Sequence, residues 1–85
     1  MKSKKVEIEF HTYEFDALKA NRMISDMCGQ YLKSAEKRGD YVVINISIQE
    51  ANDFAGWVAA EANHAKSEEE SYLLNAACDA IELRI

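Results

Sequence analysis

Glu61 and His64 are the first residues whose types and spacing could do chemistry, because they stand three positions apart in a segment with helical periodicity. Carboxylate-bridged metal centres in helical proteins use this Glu-x-x-His spacing. Such a centre also needs a second Glu-x-x-His and two further carboxylates that face inward. No further inward Glu is evident in the sequence, so we expect a solvated helix face with a surface histidine and no metal site.

His11 beside Thr12 could suggest acid–base catalysis. However, no serine, cysteine or carboxylate stands at a spacing that is diagnostic of a catalytic group, and a lone histidine on the polar side of a strand is usually just exposed. We therefore expect no catalytic residues and do not predict an enzyme.

The glycines and cysteines also carry no recognisable site. Gly29, Gly39 and Gly56 are too far apart to form a phosphate-binding loop, so we expect no nucleotide cofactor. Gly56 could instead mark a close approach of another helix or strand. Cys28 and Cys78 lack zinc-type spacing, and we expect both to be buried free thiols.

Acidic residues are the strongest remaining signal. Residues 1–39 contain eight basic and six acidic side chains, whereas residues 40–85 contain two basic and nine acidic ones, and the whole chain has a net charge of −5. The candidate partner-binding residues are the carboxylates of the predicted C-terminal helices: Asp53, Glu61, Glu68, Glu69, Glu70, Asp79 and Glu82. They are either a solvated surface that complements helix dipoles or a surface that docks on a basic protein.

The secondary-structure elements that position these residues are best indicated by residues 40–51, where the apolar pattern changes from the period of a strand to the period of a helix. Val42, Ile44, Ile46 and Ile48 alternate as on one face of a strand, and Ser47 with Glu50 has the spacing of a capping box that starts a helix. An earlier strand alternates through Val6, Ile8 and Phe10.

Three helices are predicted around these strands. The first begins between Thr12 and Asp16 and runs to about Arg38, where Gly39 supplies a left-handed stop. The second begins at about Ile48. The third follows a second capping box formed by Ser67 and Glu70 and runs nearly to the end of the sequence.

The predicted fold is a small α+β domain with the order β-α-β-α-α. Its two-stranded sheet, whose long helical crossover allows parallel strands, is covered by three helices or is completed by a second copy. We expect one domain over residues 1–85, with a flexible basic N-terminus at residues 1–5. No apolar run approaches the ~20 residues that span a bilayer, so a cytoplasmic protein is expected.

Together these features favour a non-enzymatic protein-binding module whose acidic C-terminal helices contact a basic partner. Direct binding of nucleic acid conflicts with the acidic net charge. Size and charge are also those of phage and mobile-element inhibitors of nucleic-acid-binding defence enzymes, anti-CRISPR proteins included, an analogy that rests on no motif. The alternative is a self-associating accessory subunit that buries apolar surface in a homodimer.

Overall fold

The computed structural model describes residues 4–85 as seven elements in an α+β arrangement. The predicted class is confirmed, whereas the predicted two strands and three helices are wrong: three strands and four helices are present among these residues. The strands are β1 (Lys5–His11), β2 (Glu36–Arg38) and β3 (Tyr41–Ser47), and the helices are α1 (Thr12–Ala20), α2 (Arg22–Leu32), α3 (Ile48–Asn63) and α4 (Glu68–Glu82).

β3 is the central strand of an antiparallel sheet with the order β1-β3-β2. Its register places Ile44 opposite Ile8 on β1 and Val42 opposite Lys37 on β2. The parallel pairing that the sequence allowed is wrong, because the chain between β1 and β3 includes an extra strand and a hairpin that reverse its direction. Residues 1–3 of the predicted flexible N-terminus lie outside the described part, while the Lys4 carbonyl accepts a hydrogen bond from the Ile48 amide and Lys5 begins β1.

The predicted first helix is divided at Asn21, which has an extended backbone. Its side-chain oxygen accepts a 2.9 Å hydrogen bond from the Ile24 amide and so caps α2. Asparagine is favoured at this position because its side-chain oxygen accepts from an amide of the first helical turn that has no backbone acceptor. The cap of α1 is His11, one residue before the range from Thr12 to Asp16 in which the helix is predicted to begin, and its amide donates to Glu14 at 2.9 Å.

β2 lies where the sequence predicts the end of a helix. α2 ends at Leu32, and Gly39 turns the chain from β2 into β3. Gly39 has a φ of +63° and Asp40 does not have a positive φ, the pattern of a two-residue type II′ hairpin. The predicted left-handed glycine is therefore present, but it forms a hairpin turn instead of a helix stop.

The core lies between the inner face of the sheet and the four helices. Ile8 and Phe10 from β1 and Ile44 from β3 are fully buried in one cluster with side chains from every helix. On the outer face, Val43 is only 3% exposed. Arg38 and Glu7, from the two strands that flank β3, form a 3.6 Å ion pair that passes over this position.

Candidate functional site

α4 carries the candidate site and begins at a capped N-terminus. The Ser67 hydroxyl accepts a 3.1 Å hydrogen bond from the Glu70 amide, as the spacing predicts. The return bond of a capping box is different here, because the Glu70 carboxylate accepts from the Lys66 amide at 3.0 Å. Glu68 and Glu69 lie in the first turn, where the helix dipole stabilises negative charge.

One side of α4 presents five exposed side chains that we call the α4 face. Their successive spacings of 4, 3, 4 and 3 residues return each of them to the same side of the helix. Tyr72, in the N-terminal half of the face, is 71% exposed. The members of the α4 face are Glu68, Tyr72, Asn75, Asp79 and Glu82.

The other side of α4 fixes this surface in place. Leu74, Ala77 and Ile81 are fully buried in the core. The Cys78 thiol donates to the Ala55 carbonyl on α3 at 3.7 Å. Because the helix is anchored along its length, the α4 face is a rigid surface and not a mobile tail.

The three carboxylates of the α4 face take part in no internal ion pair of the described chain. Among residues 4–85 the ion pairs are those of Arg38 with Glu7 and Glu36, and none involves α4. Burial raises the pKa of the Cys78 thiol, and the negative charges of Glu82 and Asp79 raise it further. The negative charges of both carboxylates therefore act on the C-terminal half of α4.

Four of the seven predicted binding residues are not part of this face. Asp53 accepts a 2.8 Å hydrogen bond from the Tyr31 hydroxyl, and Glu61 accepts one from the Asn21 side chain at 3.1 Å. The Glu70 carboxylate accepts a hydrogen bond from the Lys66 amide at the N-terminus of α4. Glu69 lies about 100° around the helix from Glu68. The structure therefore brings together only Glu68, Asp79 and Glu82.

A second polar site is the cleft of about 450 Å³ between the start of α2 and the α3–α4 connection. Its lining includes Glu61, His64, Asp26 and Glu70. Glu61 uses one oxygen to bind Asn21, and the described residues contain no group of three or more His, Cys, Asp or Glu side chains placed to hold a metal ion.

An aromatic cluster at one end of the sheet was not foreseen from the sequence. The His11 ring stacks on Tyr13 with a centroid distance of 5.1 Å and lies 4.7 Å from the ring of Tyr41. His11 and Tyr41 are opposite each other in the register of β1 and β3. That pairing joins residues 30 positions apart, so no local pattern could indicate it.

The two cysteines are buried and free, as predicted. Burial raises the pKa of the Cys28 thiol to about 11, and the nearby charge of Asp53 adds to the increase. Both thiols are thus protonated near neutral pH, which makes them poor nucleophiles and poor metal ligands.

No helix in residues 4–85 has the length and apolar composition needed to cross a bilayer. Gly56, predicted to mark a close approach, has open space within 4 Å of where a Cβ would lie.

Comparison with protein-family models, curated proteins and solved structures gives no match, so the function has to be inferred from the surface of this chain itself.

Proposed function

We propose that this protein is a non-enzymatic binding module whose α4 face docks on a basic surface of a partner protein. The observation that carries the proposal is the placement of Glu68, Asp79 and Glu82 on one exposed side of a rigid helix, none of them in an internal ion pair. Helices that dock in grooves use residues at this spacing of three and four.

Tyr72 gives the α4 face a candidate anchor. Its ring is the most exposed aromatic side chain of the described chain and lies between Glu68 and Asp79 along the helix. Tyrosine is enriched among the residues that dominate binding energy, because it buries a large ring and still offers a hydroxyl for hydrogen bonding. Carboxylates around such an anchor would steer a basic partner and set its orientation.

A nucleic-acid-binding enzyme is the partner class that we propose more specifically. Its binding groove is basic because it neutralises phosphates, and a row of carboxylates on a helix can compete for the same cations. The proposal includes a role as a phage or mobile-element inhibitor of a host defence enzyme, in which this protein would occupy the groove instead of DNA or RNA.

The experiment is capture of a partner from a lysate of the native host by the immobilised protein, at low and high salt. A docking surface made of three carboxylates predicts release as salt screens the charges. The captured protein is then purified and titrated with duplex DNA and single-stranded RNA. Release of the bound module by either nucleic acid supports the inhibitor role, whereas a complex that persists in high salt and in excess nucleic acid contradicts it.

The alternative of a homodimer that buries apolar surface remains a prediction. The observation in its favour is a pair of half-exposed methionines one turn apart on α2, Met23 and Met27. Sedimentation velocity at increasing concentration tests it: a dimer that is insensitive to salt and lost in Met23→Lys would support this alternative over an electrostatic interface.

A further inference from the structure

A groove with an apolar floor runs along α1 and α2 beside the free edge of β2. It consists of two adjoining hollows of about 460 and 270 Å³ that share Phe15, Lys19 and Ala35. Leu32 completes the floor of the larger hollow, and Val42 that of the smaller one. The groove is separate from the α4 face, and two residues of its floor, Phe15 and Val42, also belong to the buried core.

Three lysines from three different parts of the chain line this groove. Lys19 extends from α1, Lys33 follows α2, and Lys37 lies on β2. All three are exposed, and none lies within ion-pair distance of a carboxylate among residues 4–85. Asp16 is the single acidic residue of the lining, so the groove is basic although the whole chain is acidic.

The groove is also open to a close approach. Gly29 lines it from the middle of α2, and a Cβ at this position would meet nothing within 4 Å. Lys19 Nζ lies 5.8 Å from the centre of the Phe15 ring, which holds its charge above the apolar floor. An apolar floor under unpaired lysines fits a partner that offers an apolar or aromatic side chain between carboxylates.

The α4 face of the same protein has this chemistry. It presents the exposed Tyr72 between the unpaired carboxylates of Glu68 and Asp79. We propose that the α4 face of one copy docks in the Lys19–Lys33–Lys37 groove of a second copy, with Tyr72 on the apolar floor. This inference rests on the α4 face of the proposed function and adds an occupant for a surface that the proposed function does not use.

The geometry of this contact determines how many copies can assemble. The groove and the α4 face consist of different residues, so the contact is heterologous and a pair of copies keeps one unused groove and one unused face. Wild-type protein is therefore expected to form species larger than a dimer as concentration rises. Salt should dissociate them, because the contact pairs exposed charges.

Two variants separate the surfaces. The groove variant carries Lys19→Gln, Lys33→Gln and Lys37→Gln, and the face variant carries Glu68→Gln, Asp79→Asn and Glu82→Gln. Each has one damaged surface and one intact surface. In sedimentation velocity at low salt, each variant alone should be monomeric. An equal mixture should form a dimer and nothing larger, because only one intact groove and one intact face are then available for pairing.

Gly29→Ala is a milder test, and Gly56→Ala is its matched control. Both substitutions place a methyl group in open space on an α-helix, so neither should harm the fold. Only Gly29 lines the groove. Gly29→Ala should therefore reduce self-association, while Gly56→Ala should leave it unchanged.

The inference is overturned if the wild-type protein stays monomeric at every concentration, if the groove variant associates as the wild type does, or if the mixture gives no dimer. Binding of a short DNA duplex or of a fatty acid in the groove without self-association would also overturn it. These results are distinguishable from failure of the proposed function, because the groove variant retains the α4 face and should still capture a basic partner.

Discussion

The Tyr31 hydroxyl donates a 2.8 Å hydrogen bond to Oδ2 of Asp53, which joins α2 to α3 and gives one of the chain's acidic residues a structural partner. Tyr31 is buried and packs against Phe54, with 5.5 Å between ring centres. The bond therefore fixes the packing of two helices and gives Asp53, an exposed residue outside the α4 face, a structural role.

Tyr31→Phe should lower the free energy of unfolding by about 1 kcal/mol, since it removes this hydrogen bond and keeps the ring. The measurement is urea denaturation of Tyr31→Phe in the wild-type and Asp53→Ala backgrounds. If the two groups are coupled, the cost of Tyr31→Phe nearly disappears in the second background. An equal cost in both would show that the hydrogen bond contributes nothing.

Alkaline pH should destabilise the fold through Cys28. Its pKa is raised from 9.0 to about 11 in the native state. Between these two values the unfolded chain loses the thiol proton while the native chain keeps it, so the free energy of unfolding falls as pH rises through this window. The raised pKa of the Tyr31 hydroxyl adds to the fall. Denaturation at a series of pH values should show a smaller decline in Cys28→Ala than in the wild type, and identical declines would contradict the assignment.

Gly39 and Gly56 should respond to alanine in opposite directions. Gly39 has a φ of +63°, so Gly39→Ala should cost about 1–2 kcal/mol in the hairpin. Gly56 lies in α3 with open space around it, so Gly56→Ala should stabilise the protein by up to ~1 kcal/mol. Thermal denaturation of the two variants checks both signs, and destabilisation by Gly56→Ala would contradict the open space around this residue.

The junction of β3 and α3 gives a graded series. The Ser47 hydroxyl accepts from the Glu50 amide at 3.1 Å, so Ser47→Ala should cost about 1 kcal/mol. Ile46 is 4% exposed in the core, and Ile46→Ala should cost about 2–5 kcal/mol. Asn45 is exposed on the outer face, and Asn45→Ala should have almost no effect. Thermal melts in which Asn45→Ala is more destabilising than Ile46→Ala would contradict the assignment of the two faces.

Local sequence patterns were sufficient where the determinants are close together. Ser47 and Glu50 form both hydrogen bonds of the predicted capping box, and the alternation of Val42, Ile44 and Ile46 correctly gives the buried side of β3. The fourth residue of that alternation, Ile48, is instead the exposed first residue of α3, because the capped helix begins there. β2 could not be predicted in this way, because its three residues, Glu36–Arg38, are all charged and exposed and show no alternation. Its strand geometry depends on pairing with β3.

The same distinction explains the candidate site. The spacing of Glu68, Asp79 and Glu82 already places them on one side of a helix. The hydrogen bonds of Asp53 and Glu61 could not be predicted from the sequence, because their partners Tyr31 and Asn21 are 22 and 40 residues away. Only the tertiary packing of α2 on α3 brings those groups together.

The most direct test of the account compares two triple variants with the same change in net charge. The face variant carries Glu68→Gln, Asp79→Asn and Glu82→Gln; the control carries Glu9→Gln, Asp26→Asn and Glu69→Gln, three exposed carboxylates outside the α4 face. The dissociation constant of each variant for the captured basic partner is measured by calorimetry at one fixed salt concentration. We predict that the face variant loses binding and the control retains it, whereas equal binding by the two variants would contradict the assignment of the α4 face.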